Sequence, residues 1–319
     1  MIKHLEDTNT SAVIRTLDEI REEGGVVALG RVLTLLIHTQ TGAEEDAIEA
    51  ANDASREHPM RVIVISRNTD DVRAKEAPRL DAEIRVGGDA GASEVVLLQC
   101  RGEVGSRLIG VVQGLLLPDA PIVAWWPTFM PTQPAESQLG SIAHRRITDT
   151  GAQQEPRAAL RALADGYTPG DTDLSWTRLT NWRAHLAAML DQPPYTPVSA
   201  VTVCGSLDNP SVHLMSAWLH CRLRVPVQLR PPETGMPIGS SGLSSIVLER
   251  GDEENSLTRI EHGTGLMRQT GQPDHRVALS RRGLRDQLSE ELRRLDADEM
   301  YREVLADFAR LDAEEGPKS

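Results

Sequence analysis

Apolar residues in the first half of the chain switch between helical spacing and short continuous runs. Residues 11–23 carry apolar side chains at helical spacing and predict an amphipathic helix that ends at Gly24 and Gly25. Residues 44–57 predict a second helix, and residues 103–117 predict a third. Continuous or alternating apolar positions predict strands at 28–39, 61–66, 79–86, 93–100 and 121–126. Strands that alternate with helices are typical of an α/β sheet.

The second half of the chain begins with helical spacing and then changes to strands. Residues 174–190 predict a helix, and residues 198–204 predict the strand that follows it. The next helix is expected to start at Pro210, with Asp208 or Asn209 as its N-cap. Further strands are predicted at 225–230, 244–250, 256–262, 265–270 and 275–280, and two helices at 280–295 and 300–311. The last four strands are expected to pair in antiparallel fashion because their connections are short.

Two capping boxes mark predicted helix starts. Glu44 follows Thr41 by three residues, and Glu299 follows Asp296 by the same interval. In such a box the first side chain accepts a hydrogen bond from the helix backbone, and the later carboxylate reaches back to the cap. We therefore expect the two helices to begin directly after Thr41 and Asp296.

The order of these elements predicts an α/β to α+β fold with two domains, each a mixed β-sheet packed with helices. Residues 166–173, GYTPGDTD, interrupt the pattern with glycine and proline and place a domain boundary near residue 168. The expected domains are an N-terminal α/β domain over 1–168 and a C-terminal α+β domain over 169–319.

Composition and charge narrow the class of protein. The 319 residues are 39% hydrophobic and carry a net charge of −13. Broad binding to nucleic acid is disfavoured because it needs a clustered basic surface. No run approaches the roughly 20 apolar residues of a membrane span, and the N-terminus lacks the pattern of a secretory signal. We therefore expect a soluble, cytoplasmic protein whose partners include neither nucleic acid nor a membrane.

Residues with metal or redox chemistry are sparse. Cys100, Cys204 and Cys221 are widely spaced, which favours free thiols over a disulfide framework, although a redox-sensing pair stays open. His213 and His220 are seven residues apart, whereas metal-binding pairs on a helix lie three or four apart. Phosphate-loop, zinc-protease and serine-hydrolase motifs do not occur in the sequence. We therefore identify no catalytic residues and expect no metal and no cofactor.

Trp125 and Trp126 stand side by side at the end of a predicted strand that prolines enclose. Neighbouring residues on a strand point to opposite faces of the sheet. If helices cover both faces, both indole rings belong to the core. Otherwise one ring is exposed beside the proline-rich loop 127–140, a composition typical of protein–protein contacts. Both tryptophans are therefore candidate partner contacts.

Arg145 and Arg146 form a second candidate contact with a partner. A guanidinium pair could bind a phosphate or a partner's carboxylate. The alternative is a solvated pair beside Asp149.

Two glycine-containing turns are candidate anion sites. Residues 204–210, CGSLDNP, join a strand end to a helix N-terminus, where free amides and the helix dipole favour anions, although Asp208 would repel one. The candidate contacts in this turn are Gly205, Ser206 and Asn209. Residues 86–94, VGGDAGASE, could hold a phosphate with backbone amides or could be a tight loop without a ligand.

Several long stretches resemble a known family in order along the chain. In the first half they are EEGGVVALGRVLTLLI, DAIEAANDASREHPMRVIVIS, RLDAEIRVGGDAGASEVVLL, LLLPDAPIVAWWP and RRITD. These stretches, and the second half from LTNWRAHLAAML to HRVALSRRGLRDQLSEELRRLDADEMY, resemble the OpcA family of glucose-6-phosphate dehydrogenase assembly proteins. The arginine-rich composition fits the actinobacterial branch of that family.

The resemblance implies a non-catalytic subunit that binds glucose-6-phosphate dehydrogenase, promotes its assembly and raises its activity. It would support the oxidative pentose phosphate pathway. The alternative is an α/β enzyme or sensor that binds a sugar phosphate or a nucleotide at one of the two glycine-containing turns.

Overall fold

The computed structural model describes residues 1–24, 32–67, 77–87, 94–193, 195–233, 235, 237, 241–280 and 282–315. The described chain forms two compact units. The first unit comprises Met1–Ala152, Gly170–Thr172 and Leu284–Ala297, and the second comprises Gln153–Pro169, Asp173–Gly283 and Asp298–Ser319. The boundary near residue 168 stays a prediction about which segments fold independently.

The strands are β1 (Ile2–Leu5), β2 (Leu33–Gln40), β3 (Met60–Arg67), β4 (Arg79–Val86), β5 (Glu94–Arg101), β6 (Ile122–Trp125), β7 (Arg145–Thr148), β8 (Asp171–Asp173), β9 (Ala200–Gly205), β10 (Val227–Arg230), β11 (Leu243–Arg250), β12 (Glu253–Glu261), β13 (Thr264–Arg268) and β14 (His275–Ala278). The helices are α1 (Thr10–Gly24), α2 (Glu44–Ala54), α3 (Leu108–Val112), α4 (Pro156–Asp165), α5 (Leu174–Thr177), α6 (Thr180–Leu190), α7 (Pro210–Leu223), α8 (Leu284–Arg293) and α9 (Glu299–Glu315).

The first sheet has the order β1-β4-β5-β3-β2-β6-β7-β8. Its five central strands, from β5 to β7, run parallel, whereas β1 and β4 are antiparallel to their neighbours. The central strands β2 and β3 are buried along almost their whole length, as expected for parallel strands covered on both faces. Helix α1 contacts β4, and α2 contacts β2 and β3. Helix α8, from late in the sequence, packs against α2 and completes this unit.

The second sheet has the order β10-β9-β11-β12-β13-β14. Only β10 and β9 are parallel among its paired strands, and the pairs from β9 through β11 to β14 are antiparallel. A core built around Trp176, Trp182 and Tyr301 packs α5, α6, α7 and α9 with this sheet. Two mixed sheets packed with helices confirm the predicted fold class.

Local patterns predicted most of the strands but missed β1, β7 and β8, and they were less reliable for the extent and the starts of helices. Strand β4 alternates half-buried and buried positions as its sequence predicts. The helix predicted over 103–117 is wrong in extent: only α3 is α-helical, with 3-10 turns on both sides. Glycines at 105, 110 and 114 explain the difference, because glycine weakens a helix interior.

Both capping boxes are also wrong. Helix α2 begins at Glu44 without a side-chain cap, and the Glu44 carboxylate accepts hydrogen bonds from Gly42 N–H (2.7 Å) and from Ser66. Helix α9 is capped by Asp298, whose Oδ1 accepts from the Tyr301 N–H at 3.0 Å. The Glu44 carboxylate therefore bonds Gly42 and Ser66 rather than Thr41, and Asp296 lies two residues before the residue that caps α9.

Within the described residues, no helix is long and apolar enough to cross a membrane.

Candidate functional site

Both adjacent tryptophans lie in the interior of the first unit. Trp125 is 0% exposed and pairs in register with Ile37 and Ile147 on the neighbouring strands. Trp126 is 1% exposed and belongs to the apolar core on the opposite face, with Ala124. The two rings therefore divide between the faces, and both are core. Neither presents its side chain to a partner directly, and a contribution to partner binding stays a prediction.

The arginine pair is buried and internally neutralised. Arg145 is 4% exposed and donates to Glu291 Oε2 at 2.5 Å and to the Asp296 carbonyl at 2.7 Å. Arg146 is 5% exposed, pairs with Asp171 and donates to the Ala143 carbonyl at 2.9 Å. The expectation of a solvated pair is wrong because both guanidinium groups are enclosed. Binding of a partner carboxylate by either arginine would require its internal ion pair to open.

The turn at residues 204–210 is built as the sequence suggests, but its polar groups are engaged within the fold. The Ser206 N–H donates to the Gly242 carbonyl at 2.9 Å. Asn209 caps α7, since its Oδ1 accepts from the Ser211 N–H at 3.0 Å. A Cβ added at Gly205 would approach the Gly242 carbonyl to 2.5 Å, so glycine is needed for close packing here. Anion binding by Gly205, Ser206 and Asn209 stays a prediction.

The other candidates from the sequence do not converge on one site. Residues 88–93 of the glycine-rich loop lie outside the described residues. All three cysteines are free, and burial raises the pKa of the Cys100 thiol to about 12. Cys221 also has a raised pKa, through burial and the nearby Asp307 carboxylate. Within the described chain, no group of three or more histidine, cysteine or acidic residues could hold a metal ion.

A cavity of about 270 Å³ lies where three parallel strands of the first sheet end. His38 is near the end of β2, Arg67 is the last residue of β3, and Trp126 follows β6 directly. The proline-rich segment after β6 closes the cavity with Phe129, whose ring meets the His38 ring edge-on at 4.7 Å between centroids. The remaining lining residues are Leu108, Pro131, Ser137, Gln138 and Leu139.

The polar groups of this cavity are held in an apolar setting. His38 is 7% exposed, and its Nε2 makes no hydrogen bond to any described residue. Burial, followed by the positive charge of Arg67, lowers the pKa of His38 from 6.5 to about 3. Its imidazole is therefore neutral at pH 7 and able to donate from one nitrogen and accept at the other.

Arg67 is anchored without being neutralised. Its Nη1 donates to the Gly105 carbonyl at 2.8 Å, and its buried Nε has no partner within the described chain. No carboxylate of the described residues forms an ion pair with this guanidinium. The cavity therefore combines a fixed cation, a neutral imidazole and aromatic walls.

Comparison with family models decides the relationship of the chain. Residues 51–165 match the model described as the glucose-6-phosphate dehydrogenase subunit N-terminal domain. Residues 169–305 match the model described as the C-terminal domain of the same subunit. The chain belongs to the OpcA family. The assignment to the actinobacterial branch stays a prediction.

Other comparisons add little to the OpcA assignment. No curated protein matches the chain significantly. A crystal structure of an oxidoreductase from Sinorhizobium meliloti aligns with a TM-score of 0.42 and 10% identity over 90% of each chain. A likeness this weak supports no conclusion about activity.

Sequence reasoning missed the cavity of this OpcA-family chain. The available signal was a polar residue at the end of a buried apolar run: His38 closes LTLLIH, and Arg67 closes RVIVISR. Such residues stand at the carboxyl edge of a parallel sheet, where α/β proteins place ligands. Their convergence depends on which strands are neighbours, and local pattern does not supply that order.

Proposed function

We propose that this chain is a non-catalytic assembly and activation subunit of glucose-6-phosphate dehydrogenase. The observation that carries the proposal is the match of both halves of the chain to the two domains of that subunit family. In this role the chain binds the dehydrogenase, favours its active oligomer and thereby supports the oxidative pentose phosphate pathway. A cytoplasmic location, where that pathway operates, is part of the proposal.

The four sequence-derived partner contacts enter this proposal in a restricted way. Trp125, Trp126, Arg145 and Arg146 are all buried within the first unit. We therefore expect substitutions at these positions to weaken partner binding through loss of the fold. Direct contacts are expected from exposed residues instead.

Co-expression with the dehydrogenase of the same organism tests the proposal. Size-exclusion chromatography with light scattering is expected to show a heteromeric complex, and the dehydrogenase rate per subunit is expected to rise in it. The chain alone, supplied with glucose 6-phosphate and NADP, serves as the control and is expected to show no turnover. Separate elution at micromolar concentration with an unchanged rate would contradict the assembly role. Turnover by the chain alone would contradict the non-catalytic role.

A further inference from the structure

Three cavities in the described chain differ in how their positive charges are balanced. In the second unit, a cavity of about 220 Å³ contains Arg157, which pairs with Asp312 at 2.7 Å. On the first sheet, a cavity of about 330 Å³ contains Arg79, which pairs with Asp81 at 2.8 Å. In both, the cation already has an anion from the chain. The cavity at Arg67 offers a cation that no described carboxylate neutralises.

The position of the Arg67 cavity is the one at which open parallel sheets bind ligands. Strand β3, which follows β2 in the chain, lies on one side of β2 in the sheet. Strand β6 lies on the other side of β2, and β7, which follows β6 in the chain, lies beyond it. Strand order therefore reverses between β2 and β6. In doubly wound α/β folds, ligands bind outside the carboxyl ends of the strands at this reversal. His38 and Trp126 mark those two strand ends.

The cavity also contains an unmet hydrogen-bonding capacity. Buried polar atoms in native proteins are almost always partnered, and a buried atom without a partner calls for an explanation. The Nε2 atom of His38 is such an atom, on a side chain that is 93% buried (7% exposed) and lines the cavity. Together with the unpartnered Nε of Arg67, this atom favours a ligand group that is rich in hydrogen-bond acceptors.

We infer that this cavity binds a small metabolite with one anionic group, a phosphate or a carboxylate, on a compact apolar body. Arg67 pairs with the anion, His38 hydrogen-bonds to the ligand, and the ring of Phe129 packs on its apolar part. A volume of about 270 Å³ is just below the roughly 300–1,000 Å³ of sites for drug-sized molecules, so a dinucleotide is too large. The inference does not depend on the proposed partnership with the dehydrogenase.

Phenyl phosphate and benzoate are suitable probes because they separate the two anion types on one apolar body. Binding is followed in the full chain by NMR of ¹³C-labelled histidine, with His38 assigned by its loss in His38→Gln. At least one of the two probes is expected to shift the His38 signal saturably, with a Kd below about 1 mM. Benzamide, an uncharged counterpart of benzoate, is expected to bind about tenfold more weakly.

Charge is tested by Arg67→Met, with Arg101→Met as the matched control on the neighbouring strand end. Arg67→Met is expected to weaken anion binding about tenfold or more, and Arg101→Met to leave it unchanged. Absence of any saturable shift at His38 overturns the inference, as does equal binding of benzamide and benzoate. If folded Arg67→Met binds the anionic probes as tightly as the unaltered chain does, the inference is also overturned. If that variant does not fold, the benzoate and benzamide comparison in the unaltered chain decides alone.

Discussion

Two regions of the first unit hold arginine side chains in opposite ways. At the start of β7, Arg145 and Arg146 each have a carboxylate from the chain, Glu291 and Asp171. At the end of β3, Arg67 is fixed by a carbonyl only, and no described carboxylate balances it. A buried cation with an internal partner serves the fold, because removing either partner leaves an uncompensated charge. A cation that is positioned but not balanced is available to a ligand instead.

The largest test of this comparison is a pair of arginine-to-methionine variants. Arg146→Met removes the cation that pairs with the buried Asp171 and is expected to lower the free energy of unfolding by about 3–5 kcal/mol. Arg67→Met removes one hydrogen bond to a carbonyl and is expected to cost about 1 kcal/mol. Urea unfolding followed by circular dichroism measures both. Equal losses in the two variants would show that Arg67 is as structural as Arg146.

The second test uses pH, because the pKa of His38 in the cavity is strongly lowered. The pKa of His38 falls from 6.5 to about 3 on folding, so the unfolded chain binds more protons below pH 6.5. Stability contributed by neutral His38 is therefore present above pH 6.5 and is lost as pH falls toward 3. At pH 5 the loss is roughly 2 kcal/mol.

His38→Gln is expected to flatten this part of the stability profile, measured by urea unfolding between pH 7.5 and about 5. The exposed His262→Gln is the control and is expected to keep the original slope. A profile for His38→Gln that matches the control would mean that His38 titrates in the fold as it does in the unfolded chain.

The smallest test extends the comparison to the second unit, whose turn at 204–210 is satisfied internally. Asn209→Ala removes the cap of α7 and is expected to cost about 1 kcal/mol of unfolding free energy. Asp208→Ala, beside it and exposed, is expected to cost only a few tenths through the helix dipole. Thermal and urea unfolding measure both, and a larger loss for Asp208→Ala would reverse the assignment of the cap.

The sequence was a good guide wherever one segment decides its own structure. The alternation in RLDAEIRV predicted half-buried β4, and Asn209 before Pro210 predicted the start of α7. It failed where side chains have a choice of partners: Glu44 bonds Ser66 rather than closing a capping box. It also could not show that Arg145 and Arg146 are neutralised by residues distant in the chain.

The candidate site was the least predictable part, for the same reason. His38 and Arg67 belong to strands that are adjacent in the sheet, but Trp126 reaches them only because β6 lies on the far side of β2. The sequence shows His38 and Arg67 as polar residues at the ends of buried apolar strands. The order of strands, set by packing across the whole unit, determined that they meet.

The first unit is discontinuous in the chain, and this has a consequence for its synthesis. Arg146 emerges from the ribosome before its partner Asp171, and Arg145 emerges long before Glu291 in α8. Until those carboxylates arrive, neither arginine has the carboxylate partner that it has in the fold. The charge pairs of β7 are therefore completed late in synthesis, because Glu291 follows Arg145 by 146 residues.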